Sequence, residues 1–184
     1  MDLKKVMKKL IPAILIGVLA VSLTACGGNS GGSGSGGGSS SGGSGSKLTT
    51  YTFDGFTAQL PKGDVDDMEG FVAYYYNDNF MMSALKEDAE TFAGSNANID
   101  DYTLEDYAEM VEYANGVEDS FELDEKGNLS ITYQREAEGR NFFYYSTVKQ
   151  GTQSFWVITF ACFDGEEGTY LPQFKEYASL LVFD

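Results

Sequence analysis

The most informative absence from this sequence is that of histidine, which does not occur once in 184 residues. Histidine is the usual general base of Ser-His-Asp and Cys-His catalysis, and its imidazole is a common ligand of zinc. The composition therefore excludes these two classes of hydrolase mechanism. It also excludes every zinc site that needs an imidazole.

Cysteine is almost as scarce, because the chain contains only Cys26 and Cys162. Cys162 ends the apolar run 155–162 (FWVITFAC). A thiol in such a strand, with no histidine to activate it, is typical of a buried and inert side chain. Since we assign the sulfur of Cys26 to lipid attachment below, we expect Cys162 to be a free thiol.

Basic residues are also few, with 12 lysines and arginines against 28 acidic residues and a net charge of −16. Removal of residues 1–25 takes away four lysines and one aspartate, which leaves 8 basic and 27 acidic residues and a net charge of −19. Nucleic acid and anionic lipid both require a cationic surface, so the charge argues against both partners. An acidic shell that keeps an exported domain soluble explains this charge, and a cationic partner or a metal is the alternative.

Residues 1–25 have the pattern of a secretory signal peptide, with four lysines followed by an apolar run. That run, residues 10–23, is 14 residues long, whereas a helix needs about 20 apolar residues to cross a bilayer. Leu23-Thr24-Ala25-Cys26 then resembles the lipobox of bacterial lipoproteins, in which the cysteine takes a diacylglyceryl thioether and, after cleavage, an N-acyl chain such as palmitate. We therefore expect a protein anchored by lipid at Cys26 to the extracytoplasmic face of the cell membrane.

The segment 26–46 is expected to be a flexible tether. After Cys26 it contains only glycine and serine, apart from Asn29. Such a chain has no apolar side chain to bury, so it does not fold, and it spans about 25 Å on a root-mean-square basis. No Gly-Lys-Ser/Thr sequence follows these glycines, so they do not form a phosphate-binding loop.

Residues 47–184 have the length of a single globular domain with one core. Asp54-Gly55 and Asn77-Asp78-Asn79 are turn signals between β-rich runs. We expect a hairpin at 51–60 and strands over 71–76, 80–85, 120–124, 129–136, 141–150 and 155–163.

Two segments, 104–114 and 169–181, show the apolar period of an amphipathic helix. Thr103 and Asp106 are spaced to form a capping box at the start of the first helix, and Gly116 suits its end.

The strand at 155–163 carries apolar residues at nearly every position, as expected for a central strand that is covered on both faces. The predicted fold class is therefore α+β, with an antiparallel β-sheet sandwiched between helices (α/β/α).

These elements resemble those of the PsbP-like family over residues 50–184. The resemblance lies in the Phe-Asp-Gly-Phe hairpin that ends at Leu60-Pro61, the acidic helix 104–114, the antiparallel strands and the closing helix 174–181. The family groups extrinsic photosystem II proteins, a Ran-binding nuclear transport factor and many bacterial lipoproteins. The resemblance implies an antiparallel sheet between helices and an accessory or binding role toward a protein partner. It implies no catalytic residue.

Asp64, Asp66, Asp67 and Glu69 form the densest acidic cluster and are a weak candidate calcium site, because calcium prefers several oxygen ligands. The spacing does not match an EF-hand, since Glu69 stands where that loop requires glycine, and a solvated loop is the favoured alternative. Two further acidic sets have a functional alternative: Asp164, Glu166 and Glu167 as a weaker calcium candidate, and Glu105, Glu109 and Glu112 as a docking face for a basic partner. Turn chemistry for the first set and an exposed helix face for the second are the favoured explanations.

Three aromatic runs, 74–76, 142–145 and 155–156, are candidates for stacking on a sugar or a peptide. Because consecutive strand residues point to opposite faces, at least half of each run should lie in the core.

The sequence thus predicts a membrane-anchored extracytoplasmic lipoprotein with a non-catalytic binding or accessory role toward a protein or cell-envelope partner. We predict no catalytic residue, no cofactor and no nucleic-acid partner. Two alternatives stay open at this point. One is a glycan hydrolase, which needs two carboxyl groups that face each other across a cleft. The other is a calcium-dependent binding module at residues 64–69.

Replacing Cys26 with alanine should move the protein from the membrane fraction to the soluble fraction, because the substitution removes the thiol to which the lipid is attached. Fractionation of cells followed by immunoblotting measures this. Cys162→Ala is the matched control and should stay with the membranes. A Cys26→Ala protein that remains membrane-bound would contradict the assignment of the lipobox.

Overall fold

The computed structural model describes residues 48–94, 98–117, 119–137 and 139–184. The expected signal peptide, Cys26 and the tether lie outside these residues. The described strands are β1 Thr49–Phe53, β2 Phe56–Leu60, β3 Asp64–Asp66, β4 Ala73–Tyr76, β5 Phe80–Asp88, β6 Glu122–Leu123, β7 Leu129–Ala137, β8 Arg140–Gln150, β9 Ser154–Phe163 and β10 Val182–Phe183. The helices are α1 Ala89–Gly94, α2 Leu104–Asn115 and α3 Glu167–Ser179, with a 3-10 turn at Ile99–Asp101. In these ranges no helix combines the length and the apolar character needed to cross a bilayer.

The strands form two antiparallel sheets, which confirms the predicted α+β fold class. The main sheet has seven strands in the order β3-β4-β5-β9-β8-β7-β6, and the small sheet has three in the order β1-β2-β10. β9 lies at the centre of the main sheet, between β5 and β8, as its apolar sequence predicts.

The two faces of the main sheet are covered by different layers. On the first face, α3 and the small sheet pack over β9: Phe174 stacks on Phe160 with ring centroids 5.2 Å apart, and Phe56 meets Trp156 edge-on at 5.3 Å. On the second face, Tyr107 of α2 stacks on Phe155 at 4.6 Å. Since Phe155 and Trp156 are neighbours in one strand, these contacts lie on opposite sides of the sheet.

All three aromatic runs belong to the core, and not only half of each. Tyr75 packs in the cluster on the first face, while Tyr74 and Tyr76 pack together on the second face. The runs 142–145 and 155–156 are buried along their whole length. None of these rings is therefore exposed for stacking on a ligand.

The ends of α2 confirm the capping prediction. The Thr103 hydroxyl accepts a hydrogen bond from the Asp106 amide at 3.1 Å, and the Asp106 carboxylate accepts one from the Thr103 amide at 2.8 Å. Gly116 ends the helix with φ of 59°, a left-handed angle that glycine adopts without strain.

Three short elements, β3, α1 and β10, appear where the sequence predicts none. The expected solvated loop around Asp64 is instead an edge strand, because residues 64–66 pair with β4.

α3 begins two residues earlier than expected, so Pro172 lies in its second turn rather than its first. There the proline cannot donate to the carbonyl group of Gly168.

Cys162 is a free and buried thiol, as expected. Burial, together with the neighbouring carboxylates of Glu166, Glu167 and Asp164, raises the pKa of Cys162 to about 12. The thiol is therefore protonated at neutral pH, which agrees with an inert side chain.

One carboxyl group, that of Glu87 at the end of β5, is buried in the second face. Its side chain lies opposite Phe155 and beside the Tyr107 hydroxyl, and only 6% of the residue is exposed. Burial raises the pKa of Glu87 more than the contact with Tyr107 lowers it. A folded-state pKa above the ordinary value means that folding favours the protonated form of this group.

Glu87→Gln should therefore raise the free energy of unfolding at neutral pH, where folding must otherwise bury a charge. The stability contributed by protonated Glu87 is fully present below the ordinary pKa of 4.5. It is lost as the pH rises through the raised pKa of Glu87 in the folded protein. The gain from Glu87→Gln should therefore shrink toward acid. Urea unfolding across pH measures this, with exposed Glu109→Gln as the control. An equal gain at every pH would contradict the assignment.

Candidate functional site

A cleft of the described domain lies between α3 and the end of the main sheet formed by β6 and β7. Its volume is about 570 Å³, within the range of ligand-binding pockets. Tyr145 and Thr132 are among the residues that line it, and Leu123 and Leu171 add apolar surface. Its charged lining residues are Asp119, Glu122, Asp124, Glu125 and Lys175.

Asp124 anchors the turn between β6 and β7. One of its carboxylate oxygens accepts hydrogen bonds from the amides of Lys126 and Asn128, both at 2.9 Å, and the other accepts one from the Tyr145 hydroxyl at 2.8 Å. The Asn128 side-chain amide also donates to the Lys175 carbonyl group of α3 at 3.2 Å. This network fixes one end of the cleft against α3.

The network also sets the charge state of Asp124. Burial works to raise the pKa of this carboxyl group, but the hydrogen bonds from Asn128, Tyr145 and Lys126 outweigh burial and lower it. Asp124 is therefore ionised at neutral pH.

The basic groups around the cleft are held by the protein's own side chains. Lys175 contacts Glu125 at 2.6 Å and Lys149 donates to Asn128 at 2.7 Å, while Lys126 pairs with Glu176 at 2.7 Å just outside the cleft. Within the described part of the chain, the carboxylates of Asp119 and Glu122 have no hydrogen-bond or ion-pair partner. The cleft therefore carries a negative charge that its own lysine does not neutralise.

The cleft also contains the start of an open sheet edge. β6 is only two residues long and pairs with Leu129 and Ser130 of β7. Among the described residues no strand pairs with the outer side of β7 beyond that point, over residues 131–137. Ile131 and Thr132, which begin this open edge, line the cleft.

The acidic candidates predicted from the sequence lie elsewhere. Asp64 and Asp66 lie in β3, at the opposite edge of the main sheet, and Asp67 and Glu69 follow them. In the four described ranges, no three Asp, Glu or Cys side chains form a group that could hold a metal ion. The structure thus does not bring this cluster together as a metal site.

The two further acidic sets have local contacts. Glu112 accepts a hydrogen bond from the Phe121 amide at 2.6 Å, and Asp164 accepts one from the Gln134 side chain at 2.7 Å. Glu105 and Glu109 are exposed on α2. Glu166 precedes the first residue of α3. None of these residues lines the acidic cleft.

No protein-family model matches the sequence, and a search of curated proteins gives no significant match. Among solved structures, cyanobacterial PsbP (CyanoP) from Synechocystis sp. PCC 6803 is similar, with 14% identity and a TM-score of 0.43 over 79% of this chain and 98% of that protein. A protein from Bacteroides thetaiotaomicron has 19% identity and a TM-score of 0.46 over 70% of this chain and 45% of that one. A protein of unknown function from Pseudomonas aeruginosa, PA94, has 17% identity and a TM-score of 0.36 over 74% and 97%. Since each TM-score is below 0.5, the fold class rests on this chain's own strand pairing.

Asp124→Ala should lower the free energy of unfolding by about 1–3 kcal/mol, because it leaves the Asn128 amide and the Tyr145 hydroxyl without their acceptor. Tyr145→Phe removes one bond and should cost about 1 kcal/mol. The difference between wild type and Asp124→Ala should shrink in acid, as the lowered pKa of Asp124 is passed. Urea unfolding measures all three. Asp119→Ala, which removes a carboxylate without a partner, should change stability by less than about 0.5 kcal/mol; an equal loss there would reject the network.

Proposed function

We propose that this chain is a lipid-anchored, extracytoplasmic binding module of PsbP-like fold, with a non-catalytic role toward a basic partner protein. The observation that carries the proposal is the acidic cleft between α3 and the β6–β7 end of the main sheet. Four carboxylates line it against one lysine, and that lysine is already paired with Glu125. A basic surface is the complement of such a site.

The chemistry of the cleft supports binding rather than proton transfer. Asp124 accepts hydrogen bonds from four donor groups, and its lowered pKa makes it a poor proton donor at neutral pH. Glu125 is held in an ion pair with Lys175. Asp119 and Glu122 are exposed at the rim, where a carboxylate attracts a cation but is not desolvated for acid or base catalysis.

The rest of the domain adds to the negative field. Six described basic side chains, at positions 86, 126, 135, 140, 149 and 175, are engaged with carboxylates, carbonyl groups, amides or aromatic rings of the same domain, while Lys62 is exposed. With 8 basic against 27 acidic residues after the expected cleavage, the negative charge stays uncompensated, which favours fast encounter with a cationic partner.

The location follows from the sequence arguments. Lipid at Cys26 would hold the module at the membrane, and the glycine and serine tether would let it move about 25 Å from that point. Partners within this reach are proteins of the same membrane or of the adjoining cell envelope. Membership among PsbP-like bacterial lipoproteins is part of this proposal.

A photoreactive phenylalanine derivative in place of Leu123 tests the cleft in intact cells. Leu123 is 73% exposed at the rim, so the substitution should not disturb the core. We expect a discrete crosslinked adduct from position 123, and none of the same size from the control position Tyr113, which is 91% exposed on α2.

Charge reversal is the second arm of this experiment. Asp119→Lys with Glu122→Lys should abolish the adduct, because it reverses the charge of the rim. Glu105→Lys with Glu109→Lys makes the same charge change on α2 and should leave the adduct unchanged. Equal labelling from positions 123 and 113 would reject the cleft as the binding site.

A further inference from the structure

We propose that the partner enters the cleft as an extended, lysine- or arginine-rich segment, which adds as a new strand to the open edge of β7. This inference rests on the proposed binding function of the cleft and names the form of its partner. A strand added to a sheet edge gains affinity from main-chain hydrogen bonds and specificity from its side chains.

The direction of the backbone groups along β7 follows from its pairing with β6. In an antiparallel ladder, alternate residues direct their N–H and C=O groups to opposite sides of the strand. The Asp124 amide donates to the Asn128 carbonyl oxygen at 2.9 Å, and Glu122 pairs with Ser130 in the same register. Residues 128 and 130 therefore face β6. The next residues of this series, 132, 134 and 136, face the open edge.

The open edge has room and a fitting surface. Thr132, Gln134 and Glu136 are exposed. Thr132 is paired with Tyr145, which packs under α3, so these three side chains lie on the same face of the sheet as α3. Five residues of strand span about 17 Å. A short extended segment can thus continue the line of β6, past the point where that strand leaves β7.

The charges along this line select a basic segment. Asp119 and Glu122 lie where β6 separates from β7, and Glu136 lies near the other end of the open edge. Glu122 and Glu136 lie on the same face of the sheet, because Glu122 is paired with Ser130 and residues 130 and 136 are both even-numbered positions of β7. Arg135 belongs to the alternate series: it donates to the Asn115 carbonyl group at 2.7 Å and so lies toward α2. A strand with basic residues at every second position therefore meets carboxylates at both ends.

A second copy of this chain is the less suitable occupant. With 8 basic and 27 acidic residues after the expected cleavage, two copies repel each other, and edge-to-edge pairing would bring the acidic ends of the same edge together. Charge complementarity thus favours a basic segment of a different protein.

The probe is a fluorescein-labelled, amidated heptapeptide, Lys-Thr-Lys-Val-Lys-Thr-Lys, added to the full lipidated chain in neutral detergent micelles. Fluorescence anisotropy should detect binding that weakens with salt. Hydrogen exchange followed by mass spectrometry should show about tenfold slower exchange in residues 131–137, because amides at the edge become bonded. The glutamate counterpart, Glu-Thr-Glu-Val-Glu-Thr-Glu, should not bind.

Thr132→Pro tests the edge itself, since it removes one outward N–H group while proline is tolerated on edge strands. It should weaken binding about tenfold, which corresponds to one hydrogen bond of about 1.4 kcal/mol. Thr132→Ala loses the same side chain but keeps the N–H group, and its affinity should stay within about twofold of wild type. If Thr132→Pro does not fold, Gln134→Pro and Gln134→Ala form the second pair.

Equal affinity of the proline and alanine variants, binding without slowed exchange in residues 131–137, or no binding of the lysine peptide would each overturn strand addition. The photocrosslink separates this failure from that of the proposed function. An adduct at position 123 that Thr132→Pro does not affect retains the binding function and rejects strand addition. Absence of the adduct rejects the binding function itself.

Discussion

Burial of β9 on both faces is the constraint on which the rest of the structure depends. A strand with no solvent face requires two covering layers, and the chain supplies α3 with the small sheet on one side and α2 on the other. Each large apolar side chain buried in this way contributes about 1.5–3 kcal/mol. The other strands follow from this arrangement, because β5 and β8 pair along nearly the whole length of β9. Phe143 and Tyr145 of β8 join the cluster under α3, and Phe142 and Tyr144 join the cluster that contains Tyr74 and Tyr76.

The elements that the sequence predicts correctly are those with local signals. The capping box of α2 involves residues three positions apart, and the apolar run of β9 is continuous, so both can be recognised without tertiary contacts. β10 and β3 have two and three residues. Each forms only because it pairs with a strand elsewhere in the fold, as when Val182 meets Thr57. Such pairing leaves no periodic pattern in the short segment itself.

The acidic cleft is beyond local prediction for the same reason. The turn at residues 125–128 is visible in the sequence, but Asp124 meets Tyr145 from β8, and Glu125 meets Lys175 from a helix 50 positions further along the chain. The densest acidic cluster, at residues 64–69, can be recognised in the sequence because its carboxylates lie close together along the chain. The carboxylates of the cleft instead lie near the point where the short strand β6 ends and β7 continues alone. Only the sheet order reveals that the edge of β7 extends beyond β6.

The short length of β6 also has a consequence for colloidal behaviour. An exposed strand edge is a template for aggregation, and proteins protect such edges with charged residues. Asp119, Glu122 and Glu136 protect this edge, because their like charges repel the same edge of a neighbouring copy. Dissolved salt screens this repulsion, so the edges of separate molecules can pair more readily at high ionic strength. Buffers of low ionic strength should therefore favour a monodisperse preparation of the purified protein.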